Sequence, residues 1–399
     1  MQNQNSVCMY FQVHQPARLR KFTVFDIGGK PEYFDDRMNK FYLDRISRKC
    51  YLPTNQKLLE LIERHKGRFR VSFSITGVLL EQLEQFRPDV LESFQRLVDT
   101  GCVELFAETY YHSLSYLISK KEFAEQVRLH GKKMKSTFGV KPGVFRNTEA
   151  MYSNDIAKTV EDMGYKGILA EGLDHILTWR SPNYLYNPPG SGISVFLRNF
   201  KLSDDIGFRF SRKDWEGWPL TADKFAAWLA GSSGDTMNIF IDYETFGEHQ
   251  WEDTGIFNFL SHLPDEVLKH DHLAFRTPSE IIRLARSVGE YDVPYISSWA
   301  DVHRDLSAWL ENSMQQQAFN EIKSLGRFFN GTKKPVDKKL LSDWRKLQTS
   351  DHFYYMCTKW FADGDVHKYF NHYSTPYDAF LNFMNIAADI KMRAEKSTI

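Results

Sequence analysis

Little in this sequence points toward nucleic acid, a membrane or a metal. Its 399 residues include four cysteines, Cys8, Cys50, Cys102 and Cys357. They lie far apart and form no C-x-x-C pair, so neither a disulfide framework nor a zinc-binding set follows. Neither sign of charge is in excess: 51 Lys and Arg balance 51 Asp and Glu, and no basic block occurs. A phosphate backbone or an anionic lipid surface needs a positive face, so neither is an expected partner. No apolar run approaches the roughly 20 residues that span a bilayer. The N-terminal run Val7–Val13 is short, is interrupted by Gln12 and follows no basic segment. No signal peptide is expected, and the expected location is the cytoplasm. No G-x-G-x-x-G or P-loop pattern follows any strand candidate, which argues against a nucleotide-binding sheet. H-E-x-x-H is absent, and in His14-Gln15-Pro16 a proline stands where metal-dependent deacetylase and mannosidase barrels carry an acid. No metal and no cofactor is therefore expected.

What is present is a rhythm. Short apolar runs with polar ends alternate with helix-period segments over about the first 285 residues. The strand candidates are Val7–Val13, Val71–Ile75, Val103–Phe106, Val144–Arg146, Gly167–Ala170, Ser194–Leu197 and Asn238–Ile241, with a weaker run at His272–Phe275. Ser153 can cap a helix whose Ile156, Ala157, Val160 and Met163 share one face before Gly164 stops it. Such alternation predicts an α/β fold with a parallel sheet and crossover helices, and seven or eight units favour closure into a barrel. The rhythm changes after residue 288. From Leu306 the apolar positions Trp309, Leu310, Met314, Ala318, Ile322 and Leu325 recur at helical spacing, and the run breaks at Asn330-Gly331 and Pro335. Further helices are expected around Leu340–Leu347 and Tyr377–Met392. The expected division is a catalytic barrel over 1–288 and a helical C-terminal domain over 289–399.

In a β/α barrel the active site is built at the carboxyl ends of the strands. The first strand ends in His14, and the third carries Glu104 and leads to Glu108 and His112. The fourth leads through Arg146 to Glu149 in "FRNTEAMY". The fifth ends in Glu171, and the sixth runs through Arg198 toward Asp204 and Asp205. The seventh delivers Asp242 and Glu244 in "DYETFGEH", followed by His249 and Trp251. Two carboxylates facing across a cleft are the equipment of glycoside hydrolysis, one attacking the anomeric carbon and one protonating the leaving oxygen. Several carboxylates together can split their pKa values. Imidazoles can hold sugar hydroxyls, and aromatic faces can stack on the rings. Aromatic residues make up 15% of the chain, enough to supply both core and platforms.

"HQP" after the first strand, "FRNTEAMY" after the fourth and "DYETFGEH" after the seventh resemble signature regions of glycoside hydrolase family 57, in its α-amylase-type form. Gly101-Cys102-Val103-Glu104 is similar to a further G-x-x-E region, and "SSWAD", Ser297 to Asp301, to a fifth. The resemblance runs in order from residue 14 to about 301. It implies an incomplete seven-stranded TIM-like barrel, (β/α)7, followed by a C-terminal α-helical domain. It also implies a retaining mechanism on α-1,4-glucans such as starch, glycogen or maltodextrin, with Glu149 as nucleophile and Asp242 as general acid/base. His14, Glu104, His112, Arg146, Glu244, His249, Trp251, Trp299 and Asp301 are the candidates for holding substrate or tuning the pair. One departure stands out: several other branches carry Trp three residues before the nucleophile, where this chain has Arg146. The alternatives are a 4-α-glucanotransferase or branching enzyme on the same site, or a glucan-binding protein with little turnover.

Overall fold

A computed structural model of the chain describes residues 4–330, 337–359 and 370–398. Nine strands are assigned among them: β1 (Asn5–Val13), β2 (Val71–Ile75), β3 (Val103–Leu105), β4 (Val144–Arg146), β5 (Gly167–Glu171), β6 (Leu185–Tyr186), β7 (Ser194–Arg198), β8 (Thr236–Asp242) and β9 (Leu273–Phe275). Parallel pairing runs β8-β1-β2-β3 in one sheet and β4-β5-β7 in the other. A parallel bridge between Ala107 and Phe145 joins β3 to β4. Among the described residues the ring is left open only between β7 and β8. There the Asn199 N–H donates to the Asn238 carbonyl (3.0 Å) and the Asn238 side chain donates to the Leu197 carbonyl (2.9 Å). The result is the incomplete (β/α)7 barrel that the family resemblance implies, built from the alternating units.

Period two sorts the side chains. Val7, Met9, Phe11 and Val13 of β1, and Met237, Ile239 and Ile241 of β8, pack outward under the helices. The alternate residues Cys8 and Tyr10 of β1, Val144 of β4, Leu169 of β5, Phe196 of β7 and Phe240 of β8 fill the barrel. Each fully buried side chain of this size contributes about 1.5–3 kcal/mol. Two residues further up the same inward rows the chemistry changes: Gln12, Arg146, Glu171, Arg198 and Asp242 form a polar layer on this apolar floor. Register places Gln12 beside Asp242 and Glu171 beside Arg198. Helix Pro278–Leu284 closes the other end, its Ile281 buried among the same apolar residues.

The strand expectations agree with the structure to within two residues at each end. The two-residue strand β6, antiparallel to β7, is too short to leave a periodic signal. The apolar run from Leu306 folds as two helices, Ser307–Leu310 and Ser313–Asn330. The break has a local cause: Asn312 Oδ1 accepts from the Gln315 N–H, and Gln315 Oε1 accepts from the N–H groups of Glu311 and Asn312. Helices Lys338–Lys346 and Pro376–Thr398 match the two later expectations, whereas Gly331 and Pro335 lie outside the described residues. A second core joins these helices to Leu19, Phe22 and Tyr33, which lie between β1 and the first long helix. No helix among the described residues is long and apolar enough to cross a membrane.

Candidate active site

The inward row of β8 ends at Asp242, and the chain then turns sharply. Gly247 has φ 102°, and a Cβ there would collide with the Lys49 carbonyl, so only glycine fits the turn. The turn splits the acidic motif. Glu244 stays at the cleft, where the Tyr51 hydroxyl donates to it, while Glu248 points away and pairs with Arg45 at 2.6 Å. Burial, reinforced by the neighbouring Asp242 charge, pushes the Glu244 pKa up to about 8. At neutral pH Glu244 is therefore largely protonated.

On the far side of the ring, three strands away one way and four the other, β4 leads into Glu149. Its backbone is left-handed, at φ 55° and ψ 27°, and Ala150 follows at φ 49°. A non-glycine residue held there signals a position fixed by its surroundings. The carboxylate is gripped by donors from three parts of the chain. Trp299 Nε1 donates to Oε2 at 3.0 Å, Ser350 Oγ donates to Oε1 at 2.8 Å, and His112 Nε2 lies 3.3 Å from Oε1. The His112 Nδ1 reaches Glu108 at 3.3 Å. Burial opposes a charge on this imidazole, but the bonds to Glu108 and Glu149 outweigh it and push its pKa up to about 9. His112 is thus an imidazolium at neutral pH, and its charge favours the ionised carboxylate beside it.

His14 stacks on His112 with ring centroids 4.2 Å apart. Its Nδ1 bonds the Thr76 hydroxyl (2.9 Å) and its Nε2 bonds Asp351 (3.0 Å). Burial and the adjacent His112 both hold His14 below the usual histidine pKa, so the stacked pair carries one charge rather than two. Arg198 forms the wall between the two carboxylates' strands. It is paired with Glu171 (3.1 Å) and Asp204, and its Nε donates to the Phe240 carbonyl (2.8 Å) across the open seam.

Glu149, Asp242, His14, His112, Glu244, His249, Trp299 and Asp301 all line one cleft of about 1230 Å³ at the carboxyl end of the barrel, counted with the solvent at its mouth. Asp301 sits at the rim, paired with Lys359 at 2.8 Å. Three candidates lie elsewhere. Glu104 belongs to the third strand as expected, but it lies four residues before Glu108, about 13 Å lower at 3.3 Å per residue. There it accepts from the N–H and hydroxyl of Ser279 and caps the helix that closes the barrel's other end. Glu108 is the acid that this strand delivers to the site. Trp251 is 55% exposed and faces Lys49 instead of the cleft. Arg146 is buried beneath the cleft, its guanidinium 4.7 Å from the centre of the Trp299 ring. Ser350, Asp351 and Tyr354 escaped the sequence reading. They come from a short helix, Ser350–Tyr354, about 200 residues beyond Glu149 in the chain, and no spacing rule reaches that far. Among the described residues no three His, Cys, Asp or Glu side chains are grouped to hold a metal ion.

The family model for glycosyl hydrolase family 57 matches residues 8–297. A Methanocaldococcus jannaschii protein whose name refers to alpha-amylase is 47% identical over 391 residues, 96% of this chain and 83% of that protein. Alpha-amylases from the genus Pyrococcus also match, but the chain spans less than half of their length. Two solved structures share the fold. A branching enzyme from Thermococcus kodakaraensis has TM-score 0.66 and 14% identity, covering 88% of this chain and 86% of that one. An alpha-amylase from Thermotoga maritima has TM-score 0.60 and 15% identity, covering 99% and 97%. Motif order, barrel topology and a carboxylate-lined cleft agree with the family match, and the chain belongs to glycosyl hydrolase family 57.

Proposed function

We propose that the protein hydrolyses α-1,4-glucosidic bonds in starch, glycogen or maltodextrin with retention, by double displacement. The observation that carries this reading is the pair itself. Glu149 and Asp242 rise from opposite sides of the barrel into one cleft, and the first is gripped by three donors beside a cationic imidazole. A carboxylate so held is aimed into the cleft, as a nucleophile requires. Asp242, protonated, gives its proton to the glycosidic oxygen while Glu149 bonds the anomeric carbon and the C–O bond to the leaving chain breaks. Asp242, now a base, takes a proton from water, whose oxygen displaces Glu149 and restores both groups. Aromatic and imidazole edges from Trp299, His249 and Phe208 offer the sugar rings partly apolar walls.

The relatives' names support α-glucan as the substrate class, and a transferase would differ only in admitting a sugar hydroxyl where water attacks. The test is a product profile on maltoheptaose and on glycogen, with Glu149→Gln and Asp242→Asn alongside. Reducing ends should rise with wild type, and each variant should lose at least about 10³-fold in kcat. Redistributed chain lengths without new reducing ends would replace hydrolysis by transfer. Unimpaired variants would remove the assignment of the pair.

A further inference from the structure

Arg146 is 1% exposed, and among the described residues none of its three guanidinium nitrogens has a hydrogen-bond partner. A buried cation left so costs several kcal/mol unless nearby charge compensates it. The compensation is visible. One face of the compensation is the Trp299 ring at 4.7 Å, within reach of a cation–π attraction. The other is Glu108, whose carboxyl is depressed despite full burial by His112 foremost, with His130 and Arg146 adding to it. Trp299 in turn donates twice to Glu149, through Nε1 to the carboxylate and through its backbone N–H to the Glu149 carbonyl (3.2 Å). Basic and acidic side chains therefore alternate from beneath the cleft up to its lining: Arg146, Glu108, His112 and Glu149. The other groups around Glu149 are His14 from β1 and Asp351 from the helical region, already bonded to each other, and Arg198 from β7, already paired with Glu171 and Asp204. Across the cleft lie Asp242 at the end of β8 and Glu244 in the turn after it, and at the rim Arg304 and Asp301.

We propose that Arg146 is a positioning residue for catalysis: from below the cleft it seats the Trp299 indole against Glu149 and places a fixed cation next to the bonded row Glu108, His112 and Glu149. This rests on Glu149 being the nucleophile. It also replaces the expectation that Arg146 contacts sugar, since the guanidinium does not line the cleft. Without it, ionising both buried carboxylates beside one imidazole costs more. A lysine in its place keeps the charge but cannot spread over the indole face.

The test compares pH profiles of kcat and kcat/KM on maltoheptaose for wild type, Arg146→Met and Arg146→Lys, each first checked for a native near-UV circular dichroism spectrum. In Arg146→Met the acidic limb should move up by about one pH unit, with kcat at pH 6 down at least about tenfold and KM within about threefold. Arg146→Lys should return the limb to its wild-type position while keeping part of the kcat loss. In a Trp299→Phe background Arg146→Met should cost clearly less in kcat, because the two residues act as one unit. An unmoved limb in Arg146→Met, or a rise in KM alone, overturns the proposal; the latter outcome means direct sugar contact. If Arg146→Met does not fold, an Arg146→Lys enzyme with wild-type kcat overturns it equally. A wild type inactive on every α-glucan removes the functional reading instead, which an active wild type with indifferent Arg146 variants leaves standing.

Discussion

Glu149 owes its orientation to groups that its own strand does not supply, and this makes single substitutions informative. Ser350→Ala deletes one donor to its carboxylate without touching the barrel. A hydrogen bond to a charged group contributes about 1.5–3 kcal/mol, so kcat on maltoheptaose should fall roughly tenfold or more with KM little changed. An unchanged kcat would show that the bond does not orient the carboxylate. His112 gives a signed dependence on pH. Its pKa rises from 6.5 unfolded to about 9 folded, so its contribution to stability is fully present below pH 6.5 and disappears as pH rises through 9. Urea midpoints for wild type should decline across that window, and His112→Asn should flatten the decline. Glu104→Ala should lower the midpoint through its lost bonds to Ser279 while leaving kcat and KM alone; altered kcat would return Glu104 to the site. The motifs picked out Glu149 and Asp242, which the fold brings to one cleft, because both stand at strand ends, where barrels place chemistry. They misplaced Glu104 because a motif names a strand without saying how high on it the residue stands. Ser350 and Asp351 left no trace, since a contact across about 200 or more residues has no local pattern.

Among the elements, the strands were legible because each is an alternating run whose outward residues must be apolar and whose inward residues turn polar at one end. What alternation does not show is where the ring stays open. Between β7 and β8 no continuous ladder forms, and side chains do part of the work of backbone. Asn238 donates to the Leu197 carbonyl and accepts from the Thr236 hydroxyl at 2.8 Å, while Arg198 donates to the Phe240 carbonyl. Asn238→Leu would leave buried polar groups without partners, at a cost of about 1–3 kcal/mol. The expected outcome is a lower urea midpoint with an unchanged slope, since slope follows the surface exposed on unfolding. A midpoint equal to wild type would show that the seam needs no such bridge. The same limit explains the split after Leu310. Apolar spacing runs straight through it, and only the polar pair Asn312 and Gln315, bonding each other's backbone, restarts the helix.

For the molecule as a whole, the helical region matters through two attachments. One is chemical: Ser350 and Asp351 bond Glu149 and His14, so the site is incomplete without residues from beyond the barrel. The other is structural. The segment following β1 leaves the barrel to place Leu19, Phe22 and Tyr33 in the core of the C-terminal helices. There Asp389, fully buried, accepts from the Gly28 N–H (2.7 Å), the Tyr33 hydroxyl (2.6 Å) and Arg393 Nε (2.7 Å). A chain that crosses from one core to the other and back joins their stabilities, because neither can unfold without releasing apolar surface of the other. Activity and the far-UV helical signal should therefore disappear at the same urea concentration in wild type. Asp389→Ala strips the acceptor from three donors, of which the Tyr33 hydroxyl is buried and Arg393 half-buried, and should lower both midpoints together by an amount on the order of 3 kcal/mol. If activity instead vanished well before the helical signal, the helical region would be unfastening first. The attachment at Asp389 would then hold the active site without holding the barrel.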